Sequence, residues 1–76
     1  MTITGTQAKT ARLLLGWDQS KMSIEARLSR KTISDFENRK RGVSASAVAE
    51  IRYVLEKAGV EFTTGDEPRV KLRKAK

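Results

Sequence analysis

The side chains able to do chemistry in this sequence are cations, hydroxyls and a few carboxylates, and they crowd into one stretch. Between Arg27 and Arg41 there are six basic residues, Arg27, Arg30, Lys31, Arg39, Lys40 and Arg41, against the two acids Asp35 and Glu37. Arginine and lysine offer hydrogen-bond donors and no acceptors, so such a stretch is equipped to hold an anion rather than to transform a substrate. Catalysis has little to work with. The chain has no histidine and no cysteine. Asp35 and Glu37 stand two apart on an expected helix and do not face each other, Asp66 and Glu67 fall in an expected turn, and no glycine-rich phosphate loop is present. Neither an enzyme, nor a metal site, nor a cofactor is expected.

Composition narrows the partner. Seventy-six residues make one domain spanning 1–76, and a core of this size buries only roughly 60 % of the surface that the unfolded chain exposes. With 16 Lys and Arg against 9 Asp and Glu the net charge is +7, which favours a polyanion, nucleic acid first and an anionic membrane surface second. Without cysteine there is no disulfide framework or thiolate zinc site, so stability has to come from packing. The first residues carry no basic segment followed by an apolar run, and no apolar run approaches the roughly 20 residues of a membrane span. A cytoplasmic chain with no membrane partner is expected.

These residues need elements to position them. Thr4-Gly5-Thr6 can cap a helix of about 5–15, in which Ala8, Ala11, Leu14 and Leu15 recur at helical spacing until Gly16 offers a left-handed stop. Trp17 follows and reads as closing the core over this helix, in preference to a base-stacking platform. Asp18 caps a second helix of about 19–26, with Met22 and Ala26 inward. Leu28 packs inward from the turn, and Ser29 caps a third helix of about 30–38 whose narrow apolar stripe is Ile33 and Phe36. The loop Asn38-Arg39-Lys40-Arg41-Gly42 leads to a fourth helix of about 45–58, capped by Ser44, with Val48, Ile51, Val54 and Leu55 on one face and Gly59 beyond its end. From Val60 the period becomes two, and a β-hairpin of about 60–73 turning at 64–68 is predicted, followed by a tail at 74–76. Two strands alone are marginal in water, so the hairpin must lean on the helices or pair with a second subunit. The fold class is mainly α, four helices and a C-terminal β-hairpin.

The third helix leaves Arg30, Lys31, Ser34 and Asp35 on faces that the core does not claim. Its first turn, Ser29-Arg30-Lys31-Thr32, also brings unpaired N–H groups toward whatever it meets. A helix of this length fits the major groove of B-DNA. There Arg30 or Lys31 can donate to guanine O6 and N7 and Asp35 can accept from cytosine N4, each good bidentate contact discriminating by about 1–3 kcal/mol. An exposed arginine and lysine are ordinarily a solvated face, but the flanking geometry favours contact here. Arg39-Lys40-Arg41 suits phosphates, which position a protein without specifying sequence.

Arg12-Leu13-Leu14-Leu15-Gly16-Trp17-Asp18-Gln19, followed by Leu28-Ser29-Arg30-Lys31-Thr32-Ile33-Ser34-Asp35-Phe36-Glu37-Asn38, resembles the Cro/C1-type helix-turn-helix family of bacterial and phage regulators, also called the Xre family. The resemblance covers roughly residues 5–62, and with the basic hairpin it looks like a small single-domain branch. It implies a four-helix lambda-repressor-like helix-turn-helix domain that binds double-stranded DNA and regulates transcription, for example as a repressor. By position it implies that Gln19 bonds a DNA phosphate, although Gln19 can equally be an ordinary first-turn residue. Arg30, Lys31, Ser34 and Asp35 would face base edges, while Asn38, Arg39, Lys40 and Arg41 would hold the backbone. Arg12 and Glu37 match a pair that forms a structural salt bridge between first and third helices in similar proteins.

Arg27 stands where such motifs usually have glycine, and a left-handed conformation costs a non-glycine residue roughly 1–2 kcal/mol. Either the turn tolerates that cost or its geometry differs. Ile24 is more apolar than its outward position suggests. The basic residues Arg69, Lys71, Arg73, Lys74 and Lys76 either extend a phosphate footprint or, the preferred reading, protect an exposed edge strand from aggregation. A homodimer through helix 45–58 and the hairpin is expected, because dimers of this motif read paired half-sites. The rival class is a protein-interaction module, an antitoxin or adaptor that masks a protein partner. Nonspecific RNA binding is disfavoured by a single tyrosine and a single tryptophan.

Overall fold

The computed structural model describes residues 3–39, 42–63 and 69–72. Within them the chain is mainly helical: α1 (Gly5–Leu14), α2 (Gln19–Ala26), α3 (Arg30–Glu37) and α4 (Ala45–Lys57) precede an antiparallel hairpin of β1 (Val60–Thr63) and β2 (Arg69–Leu72). Three helices stop one residue short of the expected ranges because Leu15, Asn38 and Ala58 serve as C-caps. The expected turn at 64–68 and tail at 74–76 lie outside the described residues, as do Lys40, Arg41 and Arg73.

Each helix begins where a side-chain oxygen can satisfy an orphan N–H. Thr4, Asp18, Ser29 and Ser44 are extended N-caps that accept from the backbone of Gln7, Lys21, Thr32 and Ala47. A cap of this kind stabilises by about 1 kcal/mol. At Thr4 the bond is reciprocated, since Gln7 Oε1 accepts from the Thr4 N–H at 2.8 Å. After α1, Gly16 takes the left-handed corner at φ 74°. After α2 the same corner is made by Arg27, at φ 58° and ψ 40°. Of the two alternatives at this turn, the chain therefore keeps left-handed geometry and bears the cost. What it gains is the direction of Leu28, half-buried against the core, whose N–H donates to the Ser23 carbonyl at 3.0 Å.

One core joins all the elements, with Met22, Ile33, Ile51, Leu55 and Val60 fully buried. On α1 the buried positions are Gly5, Ala8, Ala11 and Arg12, and Leu14 is 44 % exposed. The expectation that Leu14 faces inward is corrected: with 3.6 residues per turn the stripe through 8, 11, 12 and 15 leaves position 14 at its edge. Trp17 and Phe36 pack against the core from its margin, and Ile3, ahead of α1, is buried within it. Ile24 points outward at 71 % exposure.

The hairpin leans on the helices from both sides, β1 on α4 and β2 on α1. Val60 pairs with Leu72 and Phe62 with Val70. Val60 and Phe62 are buried, Val70 is half-buried, and Leu72 stays 45 % exposed. The stripe of α4 expected to serve a dimer is largely spent inside the chain, since Val48, Ile51 and Leu55 are core residues. What α4 and the hairpin leave outside includes Tyr53 and Leu72. Among the described residues no helix is long and apolar enough to cross a membrane.

Candidate functional site

The site rests on a buried ion pair. Arg12 Nε donates to Glu37 Oε2 at 2.8 Å and Arg12 Nη2 to Glu37 Oε1 at 3.0 Å, with the two side chains 9 % and 3 % exposed. The remaining guanidinium nitrogen, Nη1, donates to the Trp17 carbonyl at 2.8 Å. Gln19 Nε2 adds a further bond to Glu37 Oε1 at 3.2 Å. One carboxylate at the end of α3 thus ties down α1 and the first residue of α2, and the same arginine fixes the linker between those helices. Every buried side-chain polar atom among the described residues has a partner, which is what makes such a charged cluster tolerable in an interior. The result is that the start of α2 and the end of α3 meet on one carboxylate.

On this base α3 turns a polar face to solvent, because its apolar residues Ile33 and Phe36 take the inner side. Ser29 Oγ accepts from the Thr32 N–H at 3.0 Å and lies 2.9 Å from Thr32 Oγ1. One turn on, Lys31 Nζ donates to Asp35 Oδ2 at 3.0 Å. Asn38 Nδ2 donates to Ser34 Oγ at 3.2 Å. Arg30 is exposed and has no hydrogen-bond or ion-pair partner among the described residues. The face therefore presents several side chains held by their neighbours at i, i+3 and i+4, and a single open guanidinium at its start.

Of the residues singled out from sequence, Gln19, Ser29, Arg30, Lys31, Thr32, Ser34, Asp35 and Asn38 belong to α2 and α3 or their caps, the two helices joined by the Arg27 corner. Arg39 takes a left-handed conformation, φ 62°, just beyond α3, and its Nη2 reaches Thr6 Oγ1 at 3.4 Å. It lies beside the start of α1 and stays exposed. Lys40 and Arg41 lie outside the described residues.

Two features had no reading in the sequence. The bond from Gln19 to Glu37 links positions 18 apart, and nothing local marks it. Gly5 is buried at the first position of α1, where any Cβ would collide with the Phe36 carbonyl, so α1 and α3 approach at backbone distance. A glycine at a helix start was the available signal. Chemically, the arrangement can donate to anions and exchange donors and acceptors with a flat polar edge. Among the described residues no group of three or more acidic side chains is placed to hold a metal ion. No family model and no curated protein matches the chain.

Proposed function

We propose that this chain is a sequence-specific double-stranded DNA-binding protein of the Cro/C1-type helix-turn-helix class, lambda-repressor-like in fold, which regulates transcription in the cytoplasm without catalysing a reaction. The observation that carries the reading is the exposed face of α3. Arg30, Lys31, Ser34, Asp35 and Asn38 share it, and the buried Arg12 and Glu37 pair ties the end of α3 to α1. Such a face offers base-edge donors and acceptors at the width of a major groove. Gln19 keeps one amide N–H and its carbonyl oxygen beyond its bond to Glu37, so it can still donate to a phosphate. The net charge of +7 supplies the nonspecific part of the affinity.

A homodimer follows from the reach of one short helix, since paired half-sites about one helical turn apart double the base contacts. The second copy would meet the outer side of α4 and the hairpin, where Tyr53 and Leu72 are 59 % and 45 % exposed. Sedimentation as a monomer at high concentration, with and without bound duplex, rules that assembly out.

The test of the main reading is binding to a duplex from upstream of the protein's own gene against a scrambled duplex, across roughly 50 to 200 mM salt, where purely electrostatic binding collapses on both. A preference of roughly a thousandfold or more on the upstream duplex establishes sequence-specific reading. Equal decline on both leaves a partner-masking role, as an antitoxin or adaptor. One observation bears on that second reading: an open groove of about 760 Å³ between α2 and α4, in which Trp17, Leu28 and Tyr53 are interspersed with charged side chains such as Lys21, Glu50 and Lys57.

A further inference from the structure

A carboxylate on a surface that approaches DNA is a liability, because phosphates repel it and most base edges in the major groove present acceptors. Asp35 is such a group. Its partner is Lys31, one turn earlier, with Nζ 3.0 Å from Oδ2; the lysine side chain is 83 % exposed and the aspartate only 22 %. The carboxylate is the deeper member, and the long lysine chain folds back over it. Arg30, next to Lys31, is not engaged in this way among the described residues.

Resting on the DNA-binding reading, we propose that Lys31 and Asp35 form one two-state reading unit whose function is to require a cytosine in the half-site. Closed, the pair is formally neutral and lets α3 approach any duplex without a penalty from its acid. Open, Asp35 accepts from cytosine N4 while Lys31 donates to guanine O6 and N7 of a neighbouring pair. The magnitudes permit this. An exposed i,i+4 ion pair is weak, and opening it shifts an equilibrium by only roughly twofold. A correct base contact against a wrong one is worth roughly 5- to 150-fold.

Much of that discrimination comes from the wrong base. Facing thymine O4 or guanine O6 and N7, a bared carboxylate meets acceptors only. Facing adenine, it meets one donor beside the acceptor N7. Cytosine alone brings an amino group and no acceptor of its own to the major-groove edge, the O6 of its paired guanine lying to one side only. Asp35 therefore excludes, Lys31 relieves the cost of carrying that exclusion during search, and Arg30 supplies affinity indifferent to both.

Selection of bound sites from a randomised duplex library, with the wild type, Asp35→Asn and Asp35→Ala, tests the proposal and needs no operator sequence at the outset. The wild type should enrich a motif with a fixed cytosine in each half. Asp35→Asn keeps the shape but gains a donor, and should move that position toward adenine, whose N6 and N7 an amide matches bidentately. Asp35→Ala should leave the position blank while retaining the rest of the motif. With Lys31 freed for a phosphate, its log–log salt slope on nonspecific duplex should steepen by about one unit. A wild-type motif selected unchanged by both variants overturns the reading unit and leaves DNA binding standing. A wild type that enriches no motif overturns both. Circular dichroism melts of the near-isosteric Asn variant show that altered selection is not lost folding.

Discussion

The carbonyl of Phe36 occupies the space where a side chain at Gly5 would begin. An ideal Cβ there would overlap the Phe36 oxygen and lie 3.0 Å from its carbonyl carbon and 3.2 Å from Glu37 Cα. All three atoms are backbone, so none can swing aside.

Gly5→Ala should therefore destabilise the fold, although alanine is the better helix former by about 1 kcal/mol. Overpacking of this kind costs typically about 1–3 kcal/mol, and here it falls on the contact that seats α1 against α3. Urea denaturation should show a lower midpoint with an unchanged slope. A midpoint equal to or above wild type removes the close approach as a determinant of the fold.

Glu37→Ala should be the more severe change. It leaves the Arg12 guanidinium buried without its carboxylate, and breaking a buried pair by removing one partner costs about 3–5 kcal/mol. Substituting both residues with leucine should recover much of that loss, since the charge and its desolvation go together. Double-mutant analysis of thermal melts gives the coupling energy, and a value near zero contradicts the geometry described.

Gln19→Ala separates two roles that share one side chain. Its bond to a charged group contributes about 1.5–3 kcal/mol at most in buried settings and less at this partly exposed site. Should Gln19 also hold a phosphate, the variant's affinity falls on every duplex alike while its salt slope stays unchanged, because a neutral amide releases no counterion. Unchanged DNA affinity with lowered stability makes it a structural residue alone.

Arg27→Gly should raise stability. The left-handed corner at φ 58° costs an L-residue roughly 1–2 kcal/mol, partly offset by the greater freedom of glycine in the unfolded chain. A gain of about 0.5–1 kcal/mol in calorimetry, with weaker nonspecific DNA affinity from the lost cation, is the expected outcome. A loss of stability means that the arginine side chain supports the turn by contacts of its own.

The helices were legible because their starts are local. A hydroxyl or carboxylate three residues before the N–H that it satisfies can be seen without any tertiary information, and Asp18, Ser29 and Ser44 each fulfil that role. The stripe of α4 was likewise readable from spacing. Spacing failed on α1, where a charged residue took the buried position: Arg12 outcompetes Leu14 because its guanidinium finds three acceptor atoms inside. The placement of β2 against α1 and of Ile3 in the core depends on chain segments far apart in sequence, and no local period encodes it. On the site, the polar face of α3 was visible residue by residue. Its internal pairing was not, because i,i+4 partners compete with solvent and only the rotamers decide.

The Arg12 and Glu37 pair also has a direction. Reversed, with glutamate at 12 and arginine at 37, the charges would still match, but a carboxylate would face the Trp17 carbonyl that now receives the Arg12 Nη1 proton at 2.8 Å. Exchange of the two residues is therefore not equivalent to keeping them, and altering either one alone strands a buried charge. The fold thus accommodates both residues or neither, and of the two orders it accepts arginine on α1 with glutamate on α3.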